Sequence, residues 1–392
     1  MCSYLNQGTP ASVVKASYWF PDGETKDPAT SAQTIPSNLF THLFCAFADL
    51  DATTHEVFVS QAHELIFSTF TETVKNRNKY VQTLLSIGGR SANNSAFASM
   101  ASKQESRKSF IDSWIAIARS NGFHGLDLAW EYPNNDAEMN AFGDLIKDLR
   151  TAVDADSIRT NKTALLLTAV VYYSSVYKIF TYPVKKMKEN LDWVNIIAYD
   201  FYDPVSYSQF TAPTAGLHVS PNNIGPTPSG DSGLKQWIKD GLPVSKAVLG
   251  FTYVGWAWTL QNNNDTGYNA SAAGVAKYKD VSEDGSITYA QIIKFIGDED
   301  ATYVYDSNVV GNYCSAEMTW IGYDDTHSVV KKVGYAKQNG LLGYFAWNVG
   351  ADYNTILSTA GSSLFSYHPS KAWGIIGGDS TSEIKVNEEM EQ

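Results

Sequence analysis

The sequence predicts an α/β chain built as a closed (β/α)8 TIM barrel, with a small α+β insertion between the seventh and eighth strands. Three observations carry this. Eight runs rich in β-branched and aromatic residues recur along the chain, and most are followed by amphipathic stretches, the alternation that builds a parallel sheet. No glycine-rich phosphate loop follows the first run, which favours a closed barrel over a doubly wound sheet. The gap between the seventh and eighth runs is too long for one helix.

The runs lie at 13–20, 41–47, 80–86, 123–129, 164–171, 193–199, 246–252 and 341–347. Helical patterns fill Arg107 to Ser120 and Asn135 to Val153. Residues 256–322 hold further aromatic and alternating segments, at Thr288 to Ile296, Thr302 to Tyr305 and Thr319 to Tyr323, which predict the insertion on the catalytic face. The barrel then comprises 1–255 and 323–365, and the polar, Glu-ended stretch 366–392 predicts a disordered tail. The chain of 392 residues suits one large barrel, because such barrels run from ~200 to above 400 residues.

Charge and composition narrow the function. A net charge of −12 repels a phosphate backbone, so no nucleic-acid partner is expected. No stretch approaches the ~20 apolar residues of a membrane span, and no basic run marks a membrane surface, so no membrane partner is expected either. Cys2, Cys45 and Cys314 make neither a disulfide framework nor a CxxC, and the histidines make no HExxH, so no metal or other cofactor is implied. Met1 to Gln7 does not read as a signal peptide, whereas four sequons, at Asn93, Asn161, Asn264 and Asn269, point to secretion. Secreted and cytoplasmic locations both stay open. The 10 Trp and 23 Tyr residues either pack the core or offer stacking faces for sugar rings, whose apolar faces and polar rims suit them.

The most informative segment is FHGLDLAWEYP at 123–133. On a strand, alternate residues share a face, so Asp127, Ala129 and Glu131 point one way and Leu126, Leu128 and Trp130 the other. In a barrel the first set faces the lumen and climbs towards the C-terminal mouth, where barrel active sites lie. Carboxylates facing a barrel interior are costly unless paired or hydrogen-bonded, so Asp127 and Glu131 are either satisfied structural groups or functional ones. Glu131, at a strand end followed by Pro133, sits where catalytic residues collect.

This segment resembles the DGxDxDWE signature of family 18 glycoside hydrolases, in the form carried by plant class V chitinases, including Nod factor hydrolases and chitinase-related lectins. Ala129 stands where the family has its middle Asp, and His124 in place of the first Asp is usual for the plant subgroup. Ser86-Ile87-Gly88-Gly89 is similar to the family's SxGG motif, although a tight turn also needs such glycines. Ile197-Ala198-Tyr199-Asp200 is similar to its MxYD motif, and Gly343-Tyr344-Phe345-Ala346-Trp347 ends on the family's floor tryptophan. The resemblance spans about residues 11–365 and implies a retaining hydrolase of β-1,4-linked N-acetylglucosamine oligomers acting as a monomer. In this family the substrate's own acetamide oxygen attacks the anomeric carbon. The resemblance makes Glu131 the general acid and later base, and Asp127 a deeper carboxylate sharing a proton with the middle one. It makes Tyr199 a catalytic contact to the acetamide oxygen, with Asp200, Trp347, Tyr18, Phe47, Gly88, Tyr253 and Asp324 on the substrate.

Ala129 breaks that arrangement. Four residues at ~3.3 Å each separate Asp127 from Glu131 by ~13 Å, and the residue between them bridges the two. A methyl there neither holds the acetamide nor relays charge, and loss of one such group costs about 10²–10³ in rate. Two origins stay open: one substitution in an otherwise complete hydrolase, or a non-catalytic lectin binding GlcNAc oligosaccharides. Chitin fragments and lipo-chitooligosaccharide Nod factors are both candidate substrates. Trp256 and Trp258 divide between lining the cleft and packing the insertion, with one expected in each role. Asp203 replaces a Gly common in the plant subgroup and is placed at the cleft rim. Gly230-Asp231-Ser232-Gly233, which looks like a serine-protease motif, is read as a turn because no matching His and Asp context accompanies it.

Overall fold

Eight parallel strands close on themselves in the computed structural model, which describes residues 13–22, 31–220 and 227–364. The expected tail at 366–392 lies outside the described residues, as does Cys2. The first seven barrel strands are β1 (Val14–Trp19), β2 (His42–Leu50), β3 (Gln82–Gly88), β4 (Gly125–Ala129), β5 (Leu166–Val171), β6 (Trp193–Ile196) and β7 (Ala247–Thr252). A second, antiparallel sheet follows: β8 (Val254–Leu260), β9 (Ala272–Val275), β10 (Ser286–Thr288), β11 (Thr302–Asp306), β12 (Gly311–Ala316) and β13 (Thr319–Tyr323). Strand β14 (Gly343–Trp347) returns to the barrel and closes it, pairing with β7 on one side and β1 on the other, while β1 also pairs with β2. The fold is therefore the (β/α)8 barrel that the alternation predicts.

Helices cover the outside: α1 (Glu64–Lys75), α2 (Asn94–Ser102), α3 (Gln104–Ser120), α4 (Asp136–Thr160), α5 (Val184–Asn190), α6 (Gly230–Lys239), α7 (Tyr289–Asp298) in the insertion, α8 (Thr326–Gln338) and α9 (Ile356–Ser363). Their sequences explain their bounds. Asn135 caps α4 by accepting from the Glu138 N–H at 2.9 Å, and acidic Asp136 and Glu138 sit in its first turn, where the helix dipole favours them. Asn161 ends α4 in the left-handed region, at φ 52°, a conformation Asn tolerates better than most residues. The Gly230–Gly233 segment is the first turn of α6, fixed by a capping box between Ser229 and Ser232. The turn expected there thus continues into a helix, because its serines satisfy the free N–H groups of a helix start.

Two cores result. Outward-facing Leu126, Leu128 and Trp130 join the layer between strands and helices, where Trp130 packs against Phe97 and Phe142. Inward-facing Ala129 joins the lumen core with Tyr18, Phe44, Leu84, Val170 and Phe345. The two-residue alternation read from the sequence therefore holds along β4. No helix among the described residues is long and apolar enough to cross a membrane.

A buried ion pair ties the insertion's exit to the barrel mouth. Lys332 Nζ, on α8, lies 2.6 and 2.5 Å from the two carboxylate oxygens of Asp324, just after β13, and 2.5 Å from the Ala215 carbonyl on the segment after β6. Both side chains are at most 2% exposed. Removing one partner leaves an uncompensated buried charge, which costs about 3–5 kcal/mol, whereas replacing both with apolar groups of similar size is often neutral. Lys332→Met is therefore expected to lose about 3–5 kcal/mol in urea denaturation. Asp324→Leu combined with Lys332→Met is expected to recover most of that loss, and a double variant as weak as the single one contradicts this account.

Candidate active site

The lumen narrows to one carboxylate. Asp127 is fully buried, and its Oδ2 accepts hydrogen bonds from Tyr18 Oη on β1 at 2.8 Å and Ser86 Oγ on β3 at 2.6 Å. Its Oδ1 accepts from Thr168 Oγ1 on β5 at 2.5 Å and Asn195 Nδ2 on β6 at 3.4 Å. Burial pushes the Asp127 carboxyl up, and these four donors oppose the shift. Tyr18, expected on the substrate, instead lies at 1% exposure beneath the cleft, stacked 4.3 Å from Phe44. It meets the site through Asp127 and from beneath Trp347, whose ring centroid lies 5.4 Å away.

Above this layer opens a cleft of ≈ 910 Å³ at the C-terminal ends of the strands. Glu131, two residues past β4, lines it together with Phe47, Gly88, Tyr199, Asp200 and Trp347, all expected from the sequence. Burial, then the charge of Asp200, pushes the Glu131 carboxyl up to about 8, against the opposing effects of Arg90 and Tyr132. Glu131 is thus protonated near neutral pH and has a proton to donate. Asp200, in the left-handed region at φ 55°, accepts from Trp256 Nε1 at 2.8 Å, and burial raises its carboxyl while that bond and Arg90 oppose the shift. Trp347 forms a floor, with Phe20 stacked at 5.5 Å and Phe47 at 6.0 Å between ring centroids.

Two glycines bring the backbone to position 129. A Cβ on Gly88 would lie 2.1 Å from the Ala129 carbonyl oxygen, and Gly88 has φ +115°. Gly89 at φ +83° would drive a Cβ to 2.6 Å from the Phe47 ring, and its N–H donates to the Ala129 carbonyl at 2.8 Å. The SxGG turn is therefore both the tight turn and the support of β4 at Ala129. Ala129 itself is wholly buried, and its methyl contributes no polar group between Asp127 and Glu131.

Other expected contacts fall elsewhere. Tyr253 is 1% exposed and packs with Phe251 and Tyr344 behind the cleft, because the chain leaves β7 and enters β8 there and turns Val254 to the cleft instead. Asp324 is committed to Lys332 and does not line the cleft. Trp256 lines the cleft, and Trp258 packs inside the insertion against Trp320, one in each role as expected. The sequence reading passed over Arg90, Tyr132, Tyr172, Tyr173, Tyr177 and Asp284, which also line the cleft. Arg90, Tyr132, Tyr172 and Tyr173 carry a usable signal, since they closely follow β3, Glu131 and β5 at strand ends, where barrel sites form, whereas Tyr177 lies further along the loop. Asp284 comes from the insertion, and its local sequence carries no such sign.

Comparison with known proteins places this geometry. Residues 12–352 match Glycosyl hydrolases family 18. A class V chitinase of Arabidopsis thaliana is 56% identical over 351 residues, covering 90% of this chain and 89% of its own. A solved class V chitinase from Nicotiana tobaccum, in complex with NAG4, superposes with a TM-score of 0.87 at 43% identity, covering 91% of this chain and 99% of its own. A chitinase-like agglutinin from Robinia pseudoacacia superposes with a TM-score of 0.81 at 41% identity, covering 90% of this chain and 100% of its own. With the match over most of its length, the barrel fold and the DxAxE strand end, the chain belongs to family 18 of the glycosyl hydrolases.

Proposed function

We propose that the cleft binds β-1,4-linked N-acetylglucosamine oligomers and is built for their retaining, substrate-assisted hydrolysis, which Ala129 slows severely in this chain. The observation that carries this is a cleft-lining Glu131, whose burial pushes its carboxyl up to about 8, above a fully hydrogen-bonded Asp127, with only a methyl between them. Glu131 donates its proton to the glycosidic oxygen as the bond to the anomeric carbon breaks. The acetamide oxygen of the same sugar closes onto that carbon, with Tyr199 beside it and Trp347 beneath the ring. The Glu131 carboxylate then takes a proton from the water that reopens the ring, so configuration is retained. Ala129 removes the hydrogen bond that would orient the acetamide and the link to Asp127. The aromatic floor and the Asp200–Trp256 pair are untouched, so binding outlasts turnover. The same groups suit chitin fragments and the sugar chain of Nod factors. The four sequon asparagines, Asn93, Asn161, Asn264 and Asn269, are all exposed, which supports a secreted route.

A second reading rests on the same methyl: a lectin that binds these oligomers without cleaving them, which the similarity to an agglutinin favours. Reversion separates the two. Ala129→Asp is expected to raise hydrolysis of chitooligosaccharides by about 10²–10³, read by chromatography of the products. Oligomers that bind the revertant without being cut leave the lectin reading standing.

The proton on Glu131 has its own signature. Between its ordinary value of 4.5 and about 8, the folded chain keeps a proton that the unfolded chain has released. Its contribution to stability is full below pH 4.5 and lost as pH rises through about 8. Burial raises Asp127 and Asp200 as well, which gives the same sign. Thermal melts between pH 5 and 8 are therefore expected to fall with pH, and Glu131→Gln is expected to flatten that fall. An unchanged slope in Glu131→Gln excludes Glu131 as the group that holds the proton.

A further inference from the structure

Resting on the reading of the cleft as a saccharide site, we propose that Arg90 is a clasp across the cleft, anchored by Asp203, that covers the face of Trp256 and limits how far a sugar chain extends. Arg90 follows β3 and Asp203 lies beyond β6, two strands separated in the barrel by β4 and β5. Arg90 Nη2 lies 3.7 Å from Asp203 Oδ2, and its guanidinium carbon lies 5.4 Å from the Trp256 ring centroid. Trp256 lines the cleft yet is only 4% exposed. A guanidinium lying over an indole uses the same apolar face on which a pyranose would stack.

The anchor is fixed and the arm is loose. Asp203 Oδ1 accepts from the backbone N–H groups of Val205 at 2.9 Å and Ser206 at 2.8 Å, and Oδ2 accepts from Ser206 Oγ at 2.5 Å. The next residue, Pro204, packs so closely on the insertion that a Cβ on Gly285 would lie 2.2 Å from its ring. The Asp203 side chain is 14% exposed, and that of Arg90 is 64% exposed. Exposed ion pairs and exposed cation–π contacts are each weak, so a sugar displaces the clasp at a cost of about three- to tenfold in affinity. Asp203 thus acts as a specificity-determining residue, holding Arg90 on Trp256 and favouring chains that stop short of it.

Calorimetric titration with the GlcNAc dimer to hexamer tests this on the intact chain, Arg90→Ala, Asp203→Asn and the double variant. Asn keeps the turn of Asp203 and removes its charge. Each single variant is expected to bind the longer oligomers about three- to tenfold more tightly, with the shortest unchanged, and the double variant is expected to gain no more than either single one. Weaker binding of Arg90→Ala at every length makes Arg90 a direct sugar contact and overturns the clasp, as does a gain independent of length or no gain at all. A second measurement needs no sugar. Acrylamide quenching of tryptophan fluorescence is expected to rise in Arg90→Ala and Asp203→Asn, and the rise is expected to vanish when Trp256→Phe is added. If no oligomer binds any of these proteins, the saccharide reading falls and quenching alone decides: unchanged quenching overturns the clasp.

Discussion

One carboxylate organises the lumen. Asp127 belongs to β4, and its four side-chain donors come from β1, β3, β5 and β6. A buried carboxylate is tolerated only when such donors satisfy its oxygens, and meeting all four fixes where five strands stand relative to one another. Because side chains alternate along β4, fixing Asp127 inward also fixes Glu131 at the mouth, two alternations higher. The acid in the cleft is therefore positioned from below, by a group that never reaches the cleft surface.

Position 129 sits between these two carboxyl groups, held through its main chain. Gly88 still approaches the Ala129 carbonyl too closely for any side chain, and the Gly89 N–H still donates to that carbonyl. Backbone support at this point depends on the residue's main chain, which a methyl serves as well as a carboxylate. The chemistry depends on the side chain alone. The fold, Asp127's hydrogen bonds and Glu131's raised carboxyl therefore stand together with a methyl at 129.

Sequence legibility follows the range of the interactions involved. Asp127, Ala129 and Glu131 were readable because strand periodicity is local and survives in the folded chain. Trp347, Tyr199 and Asp200 were readable through the motifs that resemble those of the family, which fall at or just past the ends of strand runs. Tyr253 and Asp324 lie at junctions between the barrel and the insertion, and there the direction of a side chain is set by how two sheets meet. Tyr253 turns behind the cleft and Asp324 turns to Lys332, eight residues on, a pairing that β13 and α8 create only after folding. Arg90 and Asp203 are 113 residues apart, and neither has a local pattern that names the other.

The proposed function asks two separate things of the cleft. Stacking on Trp347, flanked by Phe20 and Phe47, needs only apolar faces at the right height, and it tolerates the loss of a neighbouring charge. The proposed proton transfer needs Glu131 protonated and the acetamide held still, and the proposal rests the second condition on the side chain at 129. Burial supplies the first condition from the fold itself, since desolvation is the largest influence on Glu131. On the proposed reading a methyl at 129 removes orientation and leaves the burial of Glu131 and the aromatic floor in place. On the proposed reading, one residue in the lumen separates cutting from holding, with no change to the aromatic platform around Trp347.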